Sequence, residues 1–138
     1  MNKETPPSLR ALGRRSLPTV IEVEGRTYAQ RRVFKNDFFA ATALYEGPAG
    51  KVILKVQRQA SFLLLPLGWV GRLLAAREAA ALQRLSGIPG VPQLIGRWGK
   101  TGIVREYIAG RTLSPKEHVP DDFHERLRGL IDAIHAKD

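Results

Sequence analysis

Two charged residues interrupt apolar patterns in this chain, and they are the residues best placed to do chemistry. Lys55 lies in Lys51-Val52-Ile53-Leu54-Lys55-Val56, a β-branched run that predicts a strand. Side chains alternate along a strand, so Val52, Leu54 and Val56 share one face and Ile53 and Lys55 the other. Glu78 lies in a helix-forming stretch from Leu73 to Leu85. At helical spacing Leu74, Ala81, Leu82 and Leu85 form one stripe, and Glu78 falls inside it. An unpaired charge on an apolar surface costs several kcal/mol, on the order of 3–5 when it is fully buried. The economical arrangement is a contact between them, an ammonium held by a carboxylate. Each also has a plainer reading. Lys55 can be an edge-strand lysine that blocks strand addition, and Glu78 can face solvent beside Arg77. Other chemistries have little to work with. There are no cysteines, which leaves out disulfides, thiolate metal sites and cysteine nucleophiles. His118, His124 and His135 are scattered and read as structural or surface residues, so no metal site is expected. Asp121 and Asp122 adjoin a helix start, which accounts for them without acid–base work.

The elements that must position this pair follow from turn and capping signals. Residues 1–19 carry Pro6, Pro7, Gly13 and Pro18 with four basic residues and no apolar periodicity, which predicts a mobile basic tail. Val20 to Glu24 is a candidate small strand. Tyr28–Phe34 and Phe38–Tyr45 read as strands around a Lys35-Asn36-Asp37 turn. Glu46 to Gly50 is a second turn, leading into the Lys55 strand. The Glu78 helix ends at Ser86-Gly87. Gln93–Trp98 and Thr101–Ile108 read as a strand pair across Gly99-Lys100. Two capping boxes follow, Ser114-Pro115-Lys116-Glu117 and Asp122-Phe123-His124-Glu125, each predicting a helix. The last helix aligns Phe123, Leu127, Leu130, Ile131 and Ile134.

The whole is soluble and globular in composition, with 43% hydrophobic and 25% charged residues. Its 22 basic and 13 acidic residues give a net charge of +9, which attracts nucleotides, nucleic acid and anionic lipid alike. The amino terminus has no apolar signal core, and a cytoplasmic location is the default expectation.

Three strands, a helix, two strands, a chain break and two helices is an order that resembles the amino-terminal lobe of the protein kinase-like superfamily. The resemblance runs from Tyr28 to Asp138. Val52-Ile53-Leu54-Lys55 is similar to the family's Val-Ala-Ile-Lys strand motif, and Glu78 follows at the spacing usual for the helix glutamate. Leu85 to Leu94 resembles the segment after that helix. Val104-Arg105-Glu106-Tyr107-Ile108-Ala109-Gly110 resembles the hinge, and Leu130 to Asp138 the helix that leads to the catalytic loop. The fold implied is α+β: a five-stranded antiparallel sheet with one main helix in residues 20–108, then the first helices of an incomplete carboxy-terminal lobe in residues 109–138. The resemblance implies that Lys55 grips the α- and β-phosphates of ATP and that Glu78 orients it. It implies that the Glu106 carbonyl and the Ile108 N–H bond the adenine edge. The turn with Lys35 and Asn36 would lie over the phosphates, and Ile53 would floor the base pocket.

Several departures qualify those expectations. Phe34-Lys35-Asn36-Asp37-Phe38-Phe39 has no glycine where the family has a glycine-rich loop, so backbone approaches phosphate less closely. Ile53 replaces a small alanine, and Arg105 takes the gatekeeper position. The catalytic aspartate and the magnesium ligands would lie beyond Asp138, and Asp-Phe-Gly does not occur. The chain is therefore read either as a fragment of a kinase-like phosphotransferase, bacterial serine/threonine or lipopolysaccharide kinase-like, or as a non-catalytic binding module. The acceptor would be a protein, lipid or sugar. A basic nucleic-acid binder ranks last, because aromatic residues are only 7% and no nucleic-acid motif occurs. Ser61 to Gly71, rich in leucine with Pro66, Gly68 and Trp69, is too short and interrupted to span a bilayer. It reads as a packed cover on the lobe or as a peripheral anchor. As an anchor, Trp69 and the leucines would enter an anionic membrane surface while Arg58, Arg72 and Arg77 met headgroups.

Overall fold

A computed structural model describes residues 6–137 and gives an α+β fold: one curled six-stranded antiparallel sheet and two helices. The strands are β1 (Val20–Val23), β2 (Arg26–Asn36), β3 (Ala40–Gly47), β4 (Gly50–Gln57), β5 (Leu94–Trp98) and β6 (Gly102–Glu106). Helix α1 (Gly68–Arg84) lies between β4 and β5, and α2 (Phe123–His135) ends the fold. The spatial order is β1-β2-β3-β4-β6-β5. β4 is central and pairs β3 on one side and β6 on the other, so Lys55 lies opposite Thr42 and Ile103. It is therefore not an edge lysine. The sheet has six strands rather than five, because Val20–Val23 pairs in full register with residues 26–29.

Alternation divides the residues as period-two geometry requires. Val52, Leu54 and Val56 point to the concave side and join Tyr28, Tyr45 and Val104 in the main core. Ile53, Lys55 and Gln57 point to the other side, where α1 packs. The sheet curls until β1 lies against β5. Gly96 permits that approach, since a Cβ there would meet Val23 Cγ1 at 2.9 Å.

Helix α1 is rotated from the face its large residues indicate. Gly71, Ala75 and Ala79 are its buried positions, while Leu73, Leu74 and Ala81 are exposed. The reason is proximity. Gly71 sits against the Arg58 backbone carbonyl, where a Cβ would collide, and Ala75 and Ala79 pack on Ile103. A helix that lies this close to a sheet selects small residues on the contact face.

Residues 6–19 differ from the tail expected of them. Ala11, Leu12 and Leu17 are buried, the last two within the main core. Tyr45 donates its hydroxyl to the Pro18 carbonyl at 2.6 Å, and the Gln59 and Ala60 N–H groups both donate to the Ala11 carbonyl. Apart from a single 3-10 turn at Pro7–Leu9 the segment is irregular, and apolar residues without regular spacing suit such a segment covering one end of the sheet. Residues 1–5 lie outside the described residues.

The first capping box makes only a turn. Glu117 N–H donates to the Ser114 carbonyl and Ser114 N–H to Glu117 Oε2. Pro120 then disfavours helix at Val119 and supplies no N–H, so no helix propagates. The second box does start α2, though Asp122 makes no capping hydrogen bond. α2 buries no residue, and Leu127 and Ile131 of its apolar stripe are exposed. Among the described residues no helix is long and apolar enough to cross a membrane.

Candidate functional site

The site begins with the pair on β4 and α1. Lys55 Nζ donates to Glu78 Oε2 at 2.8 Å, with the two side chains 28% and 27% exposed. Gln57 Nε2 donates to the same oxygen at 2.9 Å. Alternation puts Gln57 beside Lys55, so the carboxylate takes two donors from one strand face. Gln57 is nearly buried, and it restricts the carboxylate to one position. The same period-two reading that paired Ile53 with Lys55 extends to residue 57. What hid Gln57 in the sequence is that it lies one step past the β-branched run.

Lys55 also lines a cavity of about 370 Å³ together with Phe34, Lys35, Thr42, Ile53, Arg105, Tyr107 and Ile108. That volume lies within the ordinary range for small-ligand sites, roughly 300–1,000 Å³. Register explains the assembly. Ile53 lies opposite Arg105, and Lys55 opposite Thr42 and Ile103, so neighbouring strands present side chains to one hollow. The chain beyond β6 adds Tyr107 and Ile108, and the end of β2 adds Phe34 and Lys35. The wall thus combines three cationic side chains with aromatic and aliphatic surface. Lys35 is tied to Asp37 at 3.0 Å and Lys55 to Glu78. Arg105 Nε is buried without a hydrogen-bond partner.

The structure brings Lys35, Ile53, Lys55 and Ile108 to this cavity and sets Glu78 behind Lys55. Asn36 and Glu106 are not on its wall. Asn36 closes β2, opposite Ala41, with its Oδ1 buried and unpartnered. Glu106 turns toward the β5 side, where its Oε2 accepts the Gln93 N–H and its own N–H donates to the Gln93 carbonyl. Phe34, Thr42 and Tyr107 were not foreseen as wall residues. Cross-strand pairing places Thr42, and that register is invisible until the turn is fixed.

The turn near the cavity lies later than expected. β2 runs on through Lys35 and Asn36, and the reversal falls at Asp37-Phe38-Phe39. Asp37 Oδ1 accepts the Phe39 and Ala40 N–H groups at 3.0 Å each. Burial raises the Asp37 pKa, but those two N–H donors and the Lys35 ammonium outweigh it and hold the carboxyl below its ordinary value. The reversal between β2 and β3 is therefore held by the Asp37 carboxylate rather than by a glycine.

Arg58, one residue past β4, is a structural hub. It is 5% exposed. Its guanidinium donates to the carbonyls of Phe38 at 2.9 Å and of Ser8, Arg10 and Ser61 at 3.3 Å. It also stacks over Phe38 at 4.0 Å and faces Phe62 at 5.7 Å. Burial lowers its pKa. The expectation that Arg58 meets lipid headgroups is corrected by this burial; it ties residues 8–10, 38 and 61 together instead.

Among the described residues no three His, Cys, Asp or Glu side chains stand together as a metal site. The acidic groups beside the wall, Glu78, Asp37 and Glu106, are already engaged by cations or N–H donors. These residues do not fit a magnesium site. Neither a family model nor a curated protein matches this chain.

Proposed function

We propose that this chain is the nucleotide-binding lobe of a kinase-like phosphotransferase, with the cavity beside Lys55 as the site for ATP. The observation that carries the reading is the Lys55–Glu78 contact on the cavity wall. An ammonium pinned at 2.8 Å by a helix carboxylate keeps two donors directed elsewhere, and the adjoining hollow is where an anion would receive them. Lys35 at the rim would meet the outer phosphates as a point charge. Phe34, Ile53, Tyr107 and Ile108 would cover the apolar faces of the base. The order β2-β3-β4-α1-β5-β6 adds support, because it is the three-strand, helix, two-strand order of the kinase amino-terminal lobe, with β1 as an addition. The proposal covers binding: the residues here hold and orient the phosphates, and no transfer step is assigned to them. Ile53 at the cavity floor and Arg105 beside it favour a second reading, a non-catalytic lobe that binds a smaller anionic ligand.

Thermal denaturation with and without Mg-ATP tests the first reading. Ligand at 100 times Kd stabilises a folded protein by about 2.7 kcal/mol. The unmodified chain is expected to melt higher with nucleotide, and Lys55→Met is expected to lose that response while its circular dichroism stays unchanged. An equal rise in both proteins overturns the phosphate role of Lys55. A rise with inorganic pyrophosphate but not with ATP selects the second reading.

A further inference from the structure

Residues 61–73 break a local rule of backbone conformation and a rule of surface composition at one place. Phe62 and Leu65 exchange backbone hydrogen bonds, N–H to carbonyl, at 3.1 and 2.8 Å. They close a two-residue hairpin whose central residues, Leu63 and Leu64, have φ of 47° and 65°. A loop with both central residues at positive φ selects asparagine and glycine. Leucine is among the poorer occupants, since its Cβ crowds the backbone there. Yet leucine fills both positions, and neither is repaid by burial. Leu63 is 78% and Leu64 99% exposed. Trp69 and Leu73 extend the apolar surface into the first turns of α1; four residues apart, they share a helix face, and both are exposed.

Strain held at an exposed apolar tip marks a surface whose partner lies outside the chain. Charge identifies the partner. The sequence has no Asp or Glu between Glu46 and Glu78. Arg14 borders the base of the tip, sharing a groove with Ser61. Arg72 and Lys100 border the other side, in a cleft with Gln59 and Gly68. Among the described residues no ion pair engages Arg14, Arg72 or Lys100. A leucine tip with an adjacent tryptophan, flanked by unpaired cations and with its nearby carboxylate, Asp37, already paired to Lys35, is complementary to an anionic bilayer. The leucines would enter the acyl boundary, Trp69 would lie at headgroup depth, and the cations would face phosphates. Arg58 fixes the tip from beneath, donating to the Ser61 carbonyl and facing the Phe62 ring at 5.7 Å.

We propose that the Phe62–Leu65 hairpin and the start of α1 form a membrane-docking element for anionic lipid surfaces. The test is co-sedimentation of the chain with phosphatidylcholine vesicles, with and without phosphatidylglycerol. Binding is expected to the mixed vesicles and about tenfold less to the neutral ones. The decisive variant is Leu63→Asn/Leu64→Gly, which removes the apolar tip and installs the residues the turn prefers. It is expected to bind mixed vesicles at least about tenfold more weakly while melting at the same temperature or higher, so loss of binding cannot be loss of fold. Arg72→Ala/Lys100→Ala should weaken binding to mixed vesicles alone. The proposal is overturned if the unmodified chain ignores both vesicle types, binds them equally, or is matched on mixed vesicles by Leu63→Asn/Leu64→Gly. It is also overturned if the hairpin variant instead converts a dimer to a monomer, which would make the tip a contact between copies. No nucleotide is present in this assay, so its result is independent of the response lost in Lys55→Met.

Discussion

Replacing Glu78 by alanine tests whether the cavity wall is held by a coupled group or by separate contacts. The side chain receives Lys55 Nζ at 2.8 Å and Gln57 Nε2 at 2.9 Å through one oxygen. A hydrogen bond to a charged group contributes about 1.5–3 kcal/mol when buried, whereas a fully exposed ion pair contributes about 0–1 kcal/mol. With side chains 28% and 27% exposed, this pair lies between those limits, and solvent screening discounts the larger value. Glu78→Ala deprives both donors of their shared acceptor and leaves an ammonium beside Ile53 and Ile103, so the expected loss is about 2–3 kcal/mol. Lys55→Met leaves Gln57 on the carboxylate and puts an apolar chain of similar length in place, so its cost is smaller, about 1 kcal/mol. The double variant should cost about 1 kcal/mol less than the sum of the two, since each single change already breaks the shared contact. Urea denaturation of the four proteins, with a common m-value, measures this. Additivity within about 0.3 kcal/mol would mean that the two side chains do not support each other, and the positioning role given to Glu78 would fall with it.

Two further changes probe the framework around the cavity. Arg58→Lys keeps the charge but cannot span four carbonyls and a ring face with three donors, so it should cost about 2 kcal/mol, and Arg58→Ala about 3–5 kcal/mol. Limited trypsin digestion should then cut faster at Arg14 and Arg15, and an unchanged rate would show that residues 8–10 are held by other contacts. Asp37 has a folded-state pKa below its unfolded one, so it contributes stability above the ordinary carboxylate range that disappears as pH falls through the lower folded value. The stability difference between the unmodified chain and Asp37→Asn should therefore be largest near neutrality and shrink below about pH 4; a difference constant down to pH 3 would refute the assignment.

What the sequence revealed, and what it hid, follows from the range of the forces involved. The Lys55–Glu78 contact was legible because each charge violated a strictly local pattern, and one contact resolved both violations. The succession of strands along the chain was legible through alternation and turn residues, which act over a few positions, whereas their order in the sheet, with β6 between β4 and β5, was not. The rotation of α1 was not legible either. Ranking apolar residues by size put Leu74, Leu82 and Leu85 inward; Leu82 does pack at the sheet, but the closest positions go to Gly71, Ala75 and Ala79. The approach is set at Gly71 by the Arg58 backbone and at Ala75 and Ala79 by Ile103, tertiary facts with no periodic trace. The burial of Ala11, Leu12 and Leu17 was hidden for a similar reason, since irregular backbone covers a core without any repeat in its sequence. The position of Asn36 and Glu106 off the cavity wall reflects strand length: β2 ran two residues further, and Glu106 was drawn to Gln93 across the β5–β6 pair.

The Lys55–Glu78 pair and the Leu63–Leu64 turn both contradict their local environment, and they differ in how the contradiction is resolved. Lys55 and Glu78 are charges on apolar faces, and each is answered by the other within the fold. Leu63 and Leu64 are apolar residues in a turn conformation that costs L-residues about 1–2 kcal/mol each. Among the described residues no packing offsets that cost, because the side chains stand in solvent. A folded chain of this size has a total stability of about 5–15 kcal/mol, so two such leucines are a sizeable fraction of it. Asparagine and glycine would remove the cost, and the free protein gains nothing from the leucines that are there. The same reasoning that sends a buried lysine in search of a carboxylate sends this hairpin in search of an apolar phase outside the protein, and the basic residues at its base decide which one.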